Sequence, residues 1–393
     1  MSGKDRWLLP EGIEEILPEE ARYLEITRRR LLDLFDSWGY DLVMPPMIEY
    51  LEALLMGVGK DLDLHTFKLT DQLTGRLMGI RADMTPQAAR IDAHYLKRNV
   101  PTRLCYLGAV LRTRPGQFAG SRELLQLGAE LFGHAGPESD VEILRLMLAT
   151  LRATGIEQPY LDLGHVGVFR GLAAQAKLSP EQESELFAVL QRKTRAEMEE
   201  LLGAWRIADA HKVMLVALVD MHGGKDVLDR AKVVFADGGK MVQAALTNLE
   251  TIAHALQVFM PDQRLHFDLA ELQGYGYYTG FVFSAFVAGY GQALAQGGRY
   301  DDIGKAFGRA RAAAGFSIDL RLLLKLRPNS YKSRGGILAP STHESDLQQK
   351  IAQLRDGGER VVAQLQAGLK TQELGCDRAL VKKDGVWTVI EQR

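Results

Sequence analysis

The sequence predicts an α+β protein: an antiparallel sheet flanked by helices, interrupted by a mainly helical insertion and followed by a small C-terminal α/β module. Three observations lead to it. Strand-type segments joined by hairpin-length connections occur both early (Thr66–Thr70, Gly75–Ile80, Arg103–Leu111) and late (Leu265–Leu269, Tyr278–Phe286, Ala313–Ile318). Between them, from about Phe169 to Leu256, nearly every segment carries helical periodicity. Beyond Pro328 a polar stretch reaches Gly335-Gly336, and a short pattern of strand, helix and strand follows. The expected division is a core over 1–326, broken by an insertion over 170–260, and a module over 335–393.

The elements follow in order. Pro18-Glu-Glu opens an amphipathic helix with Tyr23, Leu31, Leu34, Phe35 and Trp38 on one stripe, and Gly39 ends it. Tyr40 to Met47 reads as an extended apolar strand stopped by Pro45-Pro46. A second helix is expected from Asp140 as N-cap, with Val141, Leu144, Met147, Leu148 and Leu151 at helical spacing and Gly155 as its stop. In the insertion, Pro180–Leu202 and Lys240–Val258 are helical in pattern, with breaks at Gly223-Gly224 and Gly238-Gly239. A strand over Gln292–Ala295 and a helix over Asp319–Leu326 complete the core. The module reads as strand Ile337–Leu338, helix Gly357–Leu369 and strand Trp387–Ile390.

Composition narrows the function classes. Among 393 residues, 48 Lys and Arg balance 50 Asp and Glu, and apolar residues make up 46%, so disordered and disulfide-scaffold classes are excluded. The formal charge of −2 argues against a polycationic nucleic-acid coat, though not against a local basic patch. Cys105 and Cys376 stand far apart with no partner at ligand spacing, so neither a zinc site nor a disulfide framework is expected. Met1 to Pro10 lacks the apolar stretch of a signal peptide, and no apolar run approaches the roughly 20 residues of a membrane span. A cytoplasmic location is expected.

Four strings carry chemistry. Gln273-Gly-Tyr-Gly-Tyr-Tyr-Thr-Gly280 reads, taken alone, as a glycine-rich turn with packing tyrosines, a phosphate cradle being the weaker alternative. Gly297-Gly-Arg-Tyr-Asp301 reads as a turn with an Arg and a carboxylate. Arg112 and Arg114 precede a loop, then Arg122-Glu123 leads into Gln126 and Glu130. Residues 126, 128 and 130 share one face of an extended strand, so Gln126 and Glu130 point into one pocket. In Arg81-Ala-Asp-Met-Thr85-Pro86, Asp83 and Thr85 are also expected to share a strand face.

In their order along the chain these strings resemble class II aminoacyl-tRNA synthetases over about residues 7–326. Gly39-Tyr40 through Pro45 and Glu49 resembles motif 1, Leu111–Glu130 motif 2, and Ala314–Leu322 motif 3. The tyrosine string and Gly-Gly-Arg-Tyr-Asp resemble the two signatures of histidyl-tRNA synthetases. The departures are equally informative. Gln273 stands where those synthetases carry an Arg for the α-phosphate and carboxylate, and a neutral amide does not offset developing phosphate charge. Their motif 3 ends Glu-Arg, with the Arg over adenine; here the pair is Arg321-Leu322, and Arg321, one position early, is expected to point elsewhere. Arg112 is kept, but the Glu two residues on is Arg114, and the Phe-His before Gln126 is Leu124-Leu125. Adenylation is therefore not expected, and no catalytic residue is assigned.

By the same resemblance Asp83 (a Glu in the synthetases), Thr85 and Gln126 take an α-amino group. Glu130 and Tyr277 or Tyr278 take an imidazole, with Arg112 near the carboxylate. The same polar residues also fit a core in which they only satisfy one another. The C-terminal module resembles a truncated anticodon-binding domain. Together these features resemble the regulatory subunits of ATP phosphoribosyltransferase. That resemblance implies a non-catalytic chain, without metal or cofactor, that activates a short-form catalytic subunit in the first step of histidine biosynthesis. It further implies L-histidine as feedback effector and a homodimer through motif 1 within a hetero-octamer, with neither membrane nor tRNA as partner. An active histidyl-tRNA synthetase and a non-catalytic tRNA or histidine sensor are the alternatives.

Overall fold

The computed structural model describes residues 7–56, 60–115, 120–270, 274–326, 335–366 and 368–392. Gln273 lies outside them. The chain divides into two compact units, Met1–Pro328 and Asn329–Arg393.

The larger unit is organised on one sheet of nine strands among the described residues. In spatial order these are Asp41–Leu42, Thr102–Leu111, Glu123–Phe132, Ala313–Asp319, Ala295–Arg299, Phe281–Phe286, Tyr160–His165, Leu265–Asp268 and His222–Gly223. From Thr102–Leu111 to Tyr160–His165 every neighbouring pair is antiparallel. The strands Asp41–Leu42 and Leu265–Asp268 add in parallel. Helix Pro18–Ser37 begins on a proline, whose missing N–H and fixed φ suit the first helical turn. It buries Leu31 and Phe35, and Phe35 meets Phe316 of the sheet edge-on at 6.1 Å. Each such fully buried side chain contributes about 1.5–3 kcal/mol.

Several elements differ from their sequence expectation, each for a local reason. The strand expected over Tyr40–Met47 pairs only at Asp41–Leu42, and pairing resumes at Ile48–Tyr50 in a separate three-stranded sheet. Pro45 and Pro46 have no N–H to give a ladder, and the carbonyl of Pro45 instead accepts from Arg81 Nη1 at 2.6 Å. Asp140 is not an N-cap: its helix, Pro137–Ala153, starts a turn earlier on Pro137 with Gly136 as cap. Pro180–Leu202 divides into Pro180–Gln191 and Arg195–Ala204, with Lys193 at φ 53 between them. The strand expected to end at Ala295 begins there and runs to Arg299, so Gly297-Gly-Arg is strand rather than turn. Thr85 does not share a strand face with Asp83; it opens helix Thr85–Arg90, with Pro86 in its first turn.

The smaller unit is a four-stranded sheet in the order Val361–Ala363, Gly336–Ala339, Cys376–Lys383, Val386–Glu391. Its helix is Ser345–Asp356, not Gly357–Leu369, because Gly357 and Gly358 (φ 78) close it. The hairpin between the last two strands turns through Asp384 and Gly385, both at positive φ, a pairing that favours a tight two-residue turn. Ile337, Leu347, Ile351, Leu380 and Trp387 form its core.

Candidate functional site

The site grows from strand alternation. On Glu123–Phe132 the two-residue period sends Gln126, Gly128 and Glu130 to one face. Tyr106 lies opposite Gly128 on the neighbouring strand, and its ring fills the space a side chain there would need. From that position the Tyr106 hydroxyl donates to Glu130 Oε1 at 2.8 Å and shares a 2.9 Å hydrogen bond with Thr85 Oγ1. Tyr300 reaches the other carboxyl oxygen of Glu130 with its hydroxyl. Gly315, directly across from Glu130 on the next strand, leaves room for both groups.

Asp83 is held beside this cluster from two directions. Its Oδ1 accepts from the Thr85 amide at 2.9 Å and from Gln126 Nε2 at 2.8 Å. Gln126 Oε1 accepts in turn from the Met84 amide at 2.8 Å. With both ends of its amide engaged, Gln126 stands behind Asp83 and is not part of the cavity wall.

The wall encloses a cavity of about 810 Å3, to which Asp83, Thr85, Arg112, Glu130, Tyr277 and Tyr278 contribute. That size lies in the range of small-ligand sites. Six of the seven residues expected to bind ligand therefore meet around one space, and the seventh, Gln126, supports one of them. The tyrosine string places Tyr277 4.9 Å from Tyr300 and 5.3 Å from Tyr278, ring to ring. The Tyr277 hydroxyl is buried with no hydrogen-bond partner among the described residues, as is Nδ1 of His65, which also lines the cavity. A buried polar atom without a partner is costly.

Burial favours the neutral forms of the groups around the cavity and suits a hydrogen-bonding guest. Burial drives the Glu130 carboxyl well above the usual carboxylate range, and the charge of Asp83 pushes it further, while its hydrogen bond from Tyr106 opposes both. Burial likewise keeps the Tyr277 and Tyr278 phenols neutral across the physiological range. Gly315 is where this cluster is most sensitive to bulk. Gly315→Ala would place a methyl group on Glu130 Oε2 and the Tyr300 hydroxyl. It is expected to lower stability by about 1–3 kcal/mol, measured by urea unfolding.

Sequence reasoning did not anticipate His65, Tyr106 or Tyr300 as members of the site. It also did not foresee that Glu183, Ser184 and Phe187, on helix Pro180–Gln191 of the insertion, form part of the wall. The neighbouring Arg299 points the other way along its strand, into the first turn of helix Pro137–Ala153. Arg321 is indeed turned elsewhere: its guanidinium lies 3.5 Å from Glu123 and 3.9 Å from Glu14, and Leu322 packs against the apolar core. Among the described residues no group of three His, Cys, Asp or Glu side chains could hold a metal, and no helix is long and apolar enough to cross a membrane.

Residues 12–323 match the family model described as histidyl-tRNA synthetase. Residues 334–390 match the one described as ATP phosphoribosyltransferase subunit HisZ C-terminal domain. A protein of Nitrosococcus oceani named ATP phosphoribosyltransferase regulatory subunit is 53% identical over 390 residues, spanning 99% of this chain and 98% of its own. The chain belongs to the ATP phosphoribosyltransferase regulatory-subunit family. A second member, from Alkalilimnicola ehrlichii, is 55% identical over 389 residues, 98% of this chain and 96% of its own. Among solved structures, an ATP phosphoribosyltransferase regulatory subunit/histidyl-tRNA synthetase from Bacillus halodurans superposes with a TM-score of 0.81 at 28% identity, covering 93% of this chain and 94% of its own. The family's class II synthetase-like fold accounts for the antiparallel sheet and for the order of the motifs along it.

Proposed function

We propose that this chain is the non-catalytic regulatory subunit of an ATP phosphoribosyltransferase, the enzyme of the first step of histidine biosynthesis. It activates a short-form catalytic subunit by forming a complex with it, and carries histidine feedback through the cavity of its synthetase-like core. The observation that carries this reading is the asymmetry of that cavity. Its amino-acid half is assembled, with Asp83, Thr85, Glu130 and Tyr277 converging, while Arg321 of the third motif is engaged by Glu123 and Glu14. A site of this kind holds a small amine-bearing, hydrogen-bonding ligand and lacks at that motif the cation an adenylating enzyme directs at its nucleotide. Asp83 offers its Oδ2, which has no hydrogen bond among the described residues, to an α-amino group. Glu130 and Tyr277 serve an imidazole, and Arg112 faces a carboxylate.

Reconstitution tests the reading. Mixing the chain with a short-form catalytic subunit is expected to raise formation of phosphoribosyl-ATP and to give co-elution as one hetero-oligomer, which histidine then inhibits. The absence of both activation and co-elution would overturn it. Histidine-dependent exchange of pyrophosphate into ATP by the chain alone would instead establish a working synthetase.

A further inference from the structure

The tyrosine string has a third tyrosine, Tyr275, which lines the same cavity beside Glu183 and Phe187. It is held by the helical insertion through its ring, its carbonyl and its hydroxyl. Its ring stacks on Phe187 with centroids 4.6 Å apart and planes 21° apart, and meets Phe169 edge-on at 5.4 Å. The Arg170 guanidinium lies over the ring at 4.6 Å and donates to the Tyr275 carbonyl at 2.7 Å. The hydroxyl donates to Glu183. Phe169 and Arg170 belong to helix Val166–Gln175, Glu183 and Phe187 to helix Pro180–Gln191.

Two residues along, Tyr277 also lines the cavity, and its hydroxyl is buried with no hydrogen-bond partner among the described residues. The backbone between the two tyrosines is a closed turn, which ties their positions to each other. The amides of Tyr277 and Tyr278 both donate to the Gly274 carbonyl, at 2.7 and 3.0 Å. Gly274 has φ +73, and a side chain there would meet the Tyr278 ring at 2.8 Å. The turn lines the cavity, and through Tyr275 it also holds a helix that is itself part of the cavity wall.

We infer that Tyr275 is a positioning residue that couples ligand binding at Tyr277 to the order of helix Pro180–Gln191, making the insertion the element that registers whether the cavity is filled. The inference rests on histidine occupying the cavity. Linkage follows from the geometry: a ligand that fixes Tyr277 fixes the turn, and a fixed turn holds Glu183 and Phe187 through Tyr275.

The test combines calorimetry and amide hydrogen exchange on the full chain, with histidine as the probe. In the unsubstituted chain histidine is expected to bind and to slow exchange across residues 180–191. Tyr275→Phe keeps the ring stack and removes only the bond to Glu183; Glu183→Gln weakens the same bond from the other side. Both variants are expected to bind histidine roughly five- to tenfold more weakly. At saturating histidine both should lose the added protection of 180–191. The double variant should bind no more weakly than the single ones, the signature of a shared interaction. Histidine binding that leaves 180–191 unprotected, or protection retained in both variants, overturns the coupling and leaves the histidine site standing. Absence of any histidine heat from the unsubstituted chain overturns the site and the coupling together.

Discussion

Replacing Arg299 with methionine is expected to lower the unfolding free energy by about 3–5 kcal/mol near pH 7, the scale seen when one partner of a buried ion pair is removed. The Arg299 side chain is 9% exposed, and its guanidinium gathers the start of helix Pro137–Ala153. Nη2 donates to Asp140 Oδ1 and Ser139 Oγ, both at 2.8 Å, and to the Gly136 carbonyl at 3.1 Å. Nη1 donates to the His134 carbonyl and to Asp301, both at 3.2 Å. Methionine fills the volume but leaves the Asp140 carboxyl, 1% exposed, without its cation.

The loss should depend on pH. Burial raises Asp140 to about 6 even though Arg299 pulls the other way. A carboxyl raised in the folded state contributes stability that is present below its unfolded value near 3.8 and is lost as pH rises through about 6. Without the guanidinium the carboxyl is raised further, so the variant keeps Asp140 protonated, and avoids the buried charge, up to a higher pH. Urea unfolding at pH 5 and pH 7.5 should therefore show the smaller deficit at pH 5. An equal deficit at both would mean that lost packing, not the uncompensated charge, is responsible.

Glu130→Gln is expected to weaken histidine binding by about 10- to 100-fold, the range for leaving a buried polar group of the ligand without its partner, while leaving the fold at least as stable. The amide is nearly isosteric and can still engage the Tyr106 and Tyr300 hydroxyls. Stability should even move the other way with pH. Glu130 is raised by burial, so its protonated form is the one the fold favours, and that contribution fades as pH rises through its folded value. Glutamine never ionises. The melting temperature of the variant relative to the unsubstituted chain should accordingly rise between pH 5 and pH 8, while calorimetry records the loss of affinity. Unchanged affinity would assign Glu130 to the core rather than to the ligand.

Legibility followed sequence distance. The period-2 alternation of Glu123–Phe132 was readable because it is local, and it placed Gln126 and Glu130 on one face. The Asp384-Gly385 hairpin also had a local signal, although the strand before it, Cys376–Lys383, was passed over. Asp140 shows the opposite case. Its position before an apolar run suited an N-cap, but the decisive partner, Arg299, is 159 residues away, and burial against a cation outweighed the cap. The strand face assigned to Asp83 and Thr85 failed for a similar reason. Pro86 in the first turn favours a helix start, and the helix turns the Thr85 hydroxyl towards Tyr106, 21 residues on. Tyr106 itself carried no mark in the sequence, since its role depends on standing across from Gly128, where its ring has room.

The sequence by itself determined the α+β class, the helical character of the insertion, the order of the motifs and the substitution of Leu322 where a stacking cation was expected. These depend on periodicity, on Gly and Pro, and on residue identity, all of which are local properties. The tertiary structure decided what those residues are for. It set Gln126 behind Asp83 instead of in the cavity, gave Arg299 to the helix and Tyr300 to Glu130, and made Phe187 of the insertion a wall of the site. Burial, partner and pKa belong to contacts between distant segments, and only closure of the sheet brings those segments together.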